Sequence, residues 1–114
     1  PISALSASID KTKKAIEKSG LLAPIAGHVG DGNYHLMILF DGDSDDGLSR
    51  AKSLASQVND IALDFGGTVT GEHGIGSGKR SYMEREHGEA WSIMGNIKEL
   101  FDPNNIMNPG KLVP

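Results

Sequence analysis

The sequence predicts an α+β fold, a small antiparallel sheet with helices packed on one face. Three observations carry that expectation. Apolar residues recur at helical spacing in two stretches, 3–19 and 48–65. Between them, two β-type runs flank Asp31-Gly32, a favoured two-residue hairpin loop because both positions must accept positive φ. Eleven of the 15 glycines then fall between Gly27 and Gly78, which marks loops that approach something closely.

Each element follows from its residues. Ile2, Leu5, Ile9 and Ile16 line one face of a first helix, with Ser3 as its cap and Gly20 as its stop. Leu21 to Val29 and Asn33 to Phe40 read as the two hairpin strands. Asp41 to Gly47 is a polar loop. It resembles a calcium loop superficially but lacks the bidentate Glu at the twelfth position, so a solvated helix-leading loop is the better reading. Leu48, Ala51, Leu54, Ala55, Val58, Ile61, Ala62 and Phe65 form a continuous helical stripe that Gly66-Gly67 ends. Thr68-Val69-Thr70 is short, β-branched and strand-like. Gly71 to Gly78 is a glycine loop. Lys79 to Leu100 reads as helix with a break at Gly88, and Phe101 to Pro114, rich in Asn, Pro and Gly, as an ordered irregular wrap.

Bulk properties narrow the chemistry. The 114 residues suit one domain, with 38% hydrophobic and 23% charged residues, which excludes a disordered chain. A net charge of -4 argues against nucleic acid, whose phosphates call for a basic patch. The absence of cysteine excludes disulfides and thiolate metal sites. No apolar run approaches the roughly 20 residues of a membrane-spanning helix. The opening at Pro1 carries nothing like a leader, so the chain reads as a domain cut from a longer protein, and its compartment is not written in it.

Two constellations carry chemistry. In the hairpin register set by Asp31-Gly32, Gly30 faces Asn33, Val29 faces Tyr34, and His28 faces His35. Opposed residues have Cβ atoms about 4.5–5.5 Å apart, so the two imidazoles can converge on one divalent ion such as Zn, Mn, Fe or Co. The competing reading is two ordinary strand histidines, and a one-residue bulge breaks the pairing. The second constellation is Gly71-Glu72-His73-Gly74-Ile75-Gly76-Ser77-Gly78-Lys79. Glu72 suits the third ligand of a catalytic metal site. His73, its neighbour, points the other way in an extended backbone and suits proton transfer. Against these stand a surface carboxylate and a capping histidine. The glycines match neither the Walker A nor the dinucleotide-binding spacing. Lys79 and Arg80 fit an anion or a solvated helix start. His87 reads as solvated, and Trp91 and Met94 as core.

Gly27 to His35, Gly66 to Lys79 and Asp102 to Lys111 together resemble the C-terminal domain of FAD-linked oxidases of the vanillyl-alcohol-oxidase type. That family includes D-lactate dehydrogenases, glycolate oxidase subunits and D-2-hydroxyglutarate dehydrogenases. The opening, with Pro1-Ile2-Ser3, Thr12-Lys13-Lys14 and Ser19-Gly20-Leu21, is most similar to the cytochrome-dependent mitochondrial D-lactate dehydrogenases. The resemblance implies part of a ferredoxin-like cap domain over residues 1–114, with the FAD-binding domain upstream. It implies His28, His35 and Glu72 as ligands of Zn or Mn and His73 as the base beside the substrate hydroxyl. Met37 and Asn33 would lie toward substrate, an apolar Met37 suiting a monocarboxylate such as lactate. Asn108 and Lys111 would reach toward the flavin. The implied reaction takes the hydroxyl proton to His73 and the C2 hydride to FAD, with cytochrome c or another carrier as acceptor, in the mitochondrion. The isolated chain is expected to be inactive and prone to self-association through exposed apolar edges. Alternatives are a glycolate or D-2-hydroxyglutarate dehydrogenase, a stand-alone metallohydrolase using two histidines and a glutamate, and a non-catalytic interaction module.

Overall fold

Helix α1 runs over Leu5–Ser19 and begins from a 3-10 turn at Ile2–Ala4. The computed structural model describes residues 1–44 and 46–114, so Asp45 of the expected polar loop lies outside the described residues. The chain forms two compact units, Pro1–Thr68 and Val69–Pro114. The cap expected of Ser3 is absent: Ala4 occupies that position without a side-chain bond, because the 3-10 turn satisfies the Ala4 N–H from the Pro1 carbonyl. Gly20 ends α1 at φ 64°, as a left-handed stop should.

In the first unit, strands β1 (Ile25–Ala26) and β2 (His35–Leu36) pair antiparallel, and Leu22 bridges Leu39. The pairs are Ile25 with Leu36 and Ala26 with His35. Both strands are shorter than expected, and the register differs from the one that Asp31-Gly32 implies, which set His28 against His35. Val29–Asp31 coils into a 3-10 turn instead of extending, so residues 27–34 make a wide loop. The His28 carbonyl accepts from both Asp31 N–H and Asn33 N–H, and Gly32 takes φ 72° at the end of the turn. Gly30 and Val29 therefore do not face Asn33 and Tyr34 as ladder pairs.

Helix α2 (Gly47–Asp64) brings the stripe read from the sequence into the core. Leu54 is fully buried and packs with Ala15, Ala23 and Ile61, with Ile16, Leu21, Leu36, Ile38, Val58 and Phe65 around them. Leu48 is the exception within the stripe and is exposed. Alternation along the second strand run sends Leu36 and Ile38 to this core and leaves Met37 and Leu39 exposed, so helices cover one sheet face. The helix ends in a Schellman motif: Gly66 N–H donates to the Leu63 carbonyl and Gly67 N–H to that of Ala62, with Gly66 at φ 70°.

Thr68-Val69-Thr70, at the boundary of the units, is not a strand, and in the second unit a turn and 3-10 segment lead into α3 (Met83–His87) and α4 (Ala90–Phe101). The break falls at Gly88, whose φ of 54° and ψ of −131° suit only glycine. Met83, Val69 and Ile75 are buried, while Ile93, Ile97, Leu100 and Phe101 of α4 are exposed. Trp91 is half-buried and donates its ring N–H to the Leu112 carbonyl. His87 is half-buried beside Glu86 and not solvated as expected.

The tail is an ordered wrap held by one carboxylate. Buried Asp102 accepts from Lys98 Nζ, from Ile106 N–H at 2.9 Å and from Met107 N–H at 2.8 Å. The Lys98 bond, and then the two amides, hold its pKa below the ordinary carboxylate value despite burial. A depressed folded-state pKa gives a contribution that is complete above the unfolded value, about 3.9, and is lost as pH falls through the folded one. Urea melts are therefore expected to show wild-type stability dropping more steeply than that of Asp102→Asn below about pH 4, with Asp102→Asn less stable at pH 7. Equal pH slopes would remove Asp102 from the account.

Candidate metal and proton-transfer site

The loop carrying the histidines is pinned to α1. Tyr34 Oη lies 2.9 Å from Ser8 Oγ and 3.0 Å from Thr12 Oγ1, and both partners are buried. Gly27 permits the chain to pass itself closely: a Cβ there would sit 2.4 Å from the Asn33 carbonyl oxygen and 2.5 Å from Tyr34 Cα. These two restraints fix both ends of the loop. His28 sits at its entry and His35 at its exit.

The rings meet although the register differs. Their centroids are 5.8 Å apart and their planes stand at 85°. A ring nitrogen of each lies within 4.8 Å of one on the other. The observed pairing is displaced from the expected one by an even number of residues. His28 itself lies beyond the ladder, in the loop, with φ −99° and ψ 76°, and its ring still meets that of His35. Two nitrogen ligands on a tetrahedral ion at about 2.05 Å are roughly 3.3 Å apart, and the ring nitrogens here lie within 4.8 Å of each other. Imidazole nitrogens are common ligands of divalent transition metals, so the two donors fit such an ion.

Around them, Asn33 is half-buried and Met37 is exposed, its N–H donating to the Pro24 carbonyl. The apolar Met37 side chain is thus available to a ligand.

In the second unit, Glu72 and His73 do not diverge as an extended backbone would make them. His73 N–H donates to the Thr70 carbonyl, closing a turn, and Gly71 enters it at φ 53°. The turn brings His73 Nε2 to 3.4 Å from Glu72 Oε1. His73 is 69% exposed and Glu72 47% at the side chain, so both can meet a ligand. A carboxylate beside an imidazole steadies the imidazolium that forms when the ring takes a proton.

Lys79, read from the sequence as fitting an anion or a solvated helix start, donates Nζ to the Val69 carbonyl. Glu86, not singled out from the sequence, accepts the Val69 N–H at 3.1 Å. Its signal was only a Glu in a charged helix run. Asn108 and Lys111 line a cleft of about 810 Å³ with Met94, Ile97, Met107 and Leu112. Asn108 takes φ 48°, and Lys111 Nζ lies 3.5 Å from Ser77 Oγ.

Comparison with known proteins covers nearly the whole chain. Residues 1–112 match the family model of FAD linked oxidases, C-terminal domain. A mitochondrial cytochrome-type D-lactate dehydrogenase of Arabidopsis thaliana is 46% identical over 100% of this chain and 20% of its own length. A probable mitochondrial D-lactate dehydrogenase of Danio rerio is 44% identical over 99% of the chain and 23% of its own length. A glycolate oxidase subunit of Bacillus subtilis is 40% identical over 75% of the chain and 18% of its own length. The chain spans about a fifth of the length of these relatives. Two imidazoles on a pinned loop, a carboxylate–imidazole turn and a match from Pro1 to Leu112 lead to one assignment: this chain belongs to the C-terminal domain family of the FAD-linked oxidases.

Proposed function

We propose that this chain is the substrate and metal-site part of a mitochondrial FAD-dependent D-2-hydroxy acid dehydrogenase, with D-lactate as substrate. The observation that carries the reading is the pair of imidazoles held at 5.8 Å on a pinned loop, in a family member 46% identical to a D-lactate dehydrogenase. The relatives named as mitochondrial cytochrome-type enzymes support both the compartment and a cytochrome acceptor.

In this reading His28, His35 and Glu72 hold a divalent ion, Zn or Mn. When bound, the ion supplies Lewis acidity toward the 2-hydroxy acid, and the flavin supplies the hydride acceptor. His73 accepts the hydroxyl proton on its exposed imidazole. Glu72, 3.4 Å away, steadies the charge that results. Met37 and Asn33 border the substrate, and the exposed apolar Met37 favours a methyl over a second carboxylate. Asn108 and Lys111 present polar groups to the flavin at the rim of their cleft. The FAD-binding domain precedes this region in the same protein and holds most of the cofactor.

The test is the full-length protein with bound FAD. D-lactate is expected to bleach the flavin absorbance under anaerobic conditions, pyruvate to form in equal amount, and the 114-residue chain alone to show no turnover. No flavin reduction by any 2-hydroxy acid would overturn the assignment. The glycolate oxidase relatives at 36–40% identity support a second substrate, glycolate. Faster flavin reduction by glycolate than by D-lactate would choose it.

A further inference from the structure

The backbone that carries Glu72 and His73 has an unusual support. Thr68–Thr70 belongs to no sheet among the described residues, yet Val69 is only 4% exposed. Buried peptide groups must find partners, and in a strand a neighbouring strand supplies them. Here two side chains of opposite charge do so. Glu86 Oε2 accepts the Val69 N–H at 3.1 Å, and Lys79 Nζ donates to the Val69 carbonyl. Glu86 is itself held: its side chain is 8% exposed, and its Oε1 lies 3.4 Å from His87 Nε2. Both side chains come from the segment that follows the glycine loop.

We propose that Lys79 and Glu86 are positioning residues for Glu72 and His73, gripping the Val69 peptide from both sides. The proposal rests on the metal and proton-transfer reading given above. The physical case is one of leverage. Glycines at 71, 74 and 76 all take positive φ, so the loop that bears the two functional side chains has little stiffness of its own. Its entry is fixed three residues before Glu72 by the Val69 peptide. Its exit is fixed where the Gly76 carbonyl accepts the Leu112 N–H at 2.9 Å. Releasing the entry lets the turn at Thr70–His73 wander. A ligand carboxylate displaced by even a fraction of an ångström loses affinity, as the cost of removing supports behind metal ligands shows.

The experiment uses metal-stripped full-length protein, titrated with Co²⁺ and read by its visible d–d bands. Lys79→Met and Glu86→Met are each expected to weaken Co²⁺ binding about tenfold and to lower kcat for D-lactate more than they raise KM. Lys79→Arg, which keeps a cationic donor, is expected to restore most of the affinity. Amide exchange over residues 69–73 reads the grip without any metal. It is expected to speed up about tenfold in both weakened variants, one lost hydrogen bond. Should either variant fail to fold, Glu86→Asp, which withdraws the carboxylate by one methylene, takes its place with the same expectation. Unchanged exchange at 69–73 in folded variants overturns the proposal, whatever the metal does. Unchanged Co²⁺ affinity alongside faster exchange overturns it as well, since the grip then exists without positioning a ligand. If wild-type protein binds no Co²⁺, the metal reading fails separately. The positioning of His73 is then judged by exchange and by the kcat loss with its Arg rescue.

Discussion

Removing the imidazole of His73 is expected to cost the full-length enzyme about two to four orders of magnitude in kcat for D-lactate, with bound metal and flavin unchanged. The reasoning is geometric. His73 is exposed, sits on a short turn closed by its own N–H to the Thr70 carbonyl, and has a carboxylate oxygen 3.4 Å from Nε2. Its side chain is 69% exposed, so His73→Ala should leave the fold intact and test the proposed proton transfer. Kinetics separate the roles: kcat and kcat/KM should fall together, the mark of an interaction made only in the transition state. Stopped-flow flavin reduction gives the rate, and elemental analysis gives the metal. A variant that reduces flavin at the wild-type rate would remove His73 from the reaction.

The second large effect concerns the histidine pair. His28→Ala and His35→Ala are each expected to weaken divalent-metal binding by more than the roughly 10–100-fold typical of residues that merely support a ligand. A site with one imidazole lost cannot complete its coordination from the remaining donors. The two substitutions should be equivalent in metal loss, because the proposed ion takes one nitrogen from each ring, and the ring centroids lie 5.8 Å apart. Their stability cost should be small beside the metal loss. His35 pairs with Ala26 and His28 accepts the Asp31 and Asn33 amides through the backbone, which alanine keeps. Calorimetric Zn²⁺ or Mn²⁺ titration, with thermal melts alongside, checks both statements. Full metal occupancy in either variant would show that the rings are neighbours without a shared ion.

Much of this molecule could be read from the order of its residues. Period-3.6 stripes delimit α1 and α2 because a helix must bury one face, and glycines with no Cβ can take the left-handed stops at Gly20 and Gly66. The family was legible for the same local reason. Histidine, glutamate and glycine in tight runs have few structural uses, and their ordered likeness to one family extends over residues 1–112. Register was not legible. Asp31-Gly32 favours a two-residue loop, but a 3-10 turn at Val29–Asp31, the Tyr34 hydroxyl on Ser8 and Thr12, and the close pass at Gly27 outweigh that local preference. These are contacts between residues up to 26 positions apart, and no window along the chain contains them. The fate of Val69 was hidden likewise. Its β-branched neighbours promise a strand, yet a strand exists only where another lies beside it, and Lys79 and Glu86 satisfy its peptide instead. Sequence by itself determined the family to which this chain belongs and where its first two helices stop, since motif, propensity and periodicity are local. Tertiary structure alone decided which groups face each other and what holds them, because those depend on partners that only the folded chain assembles.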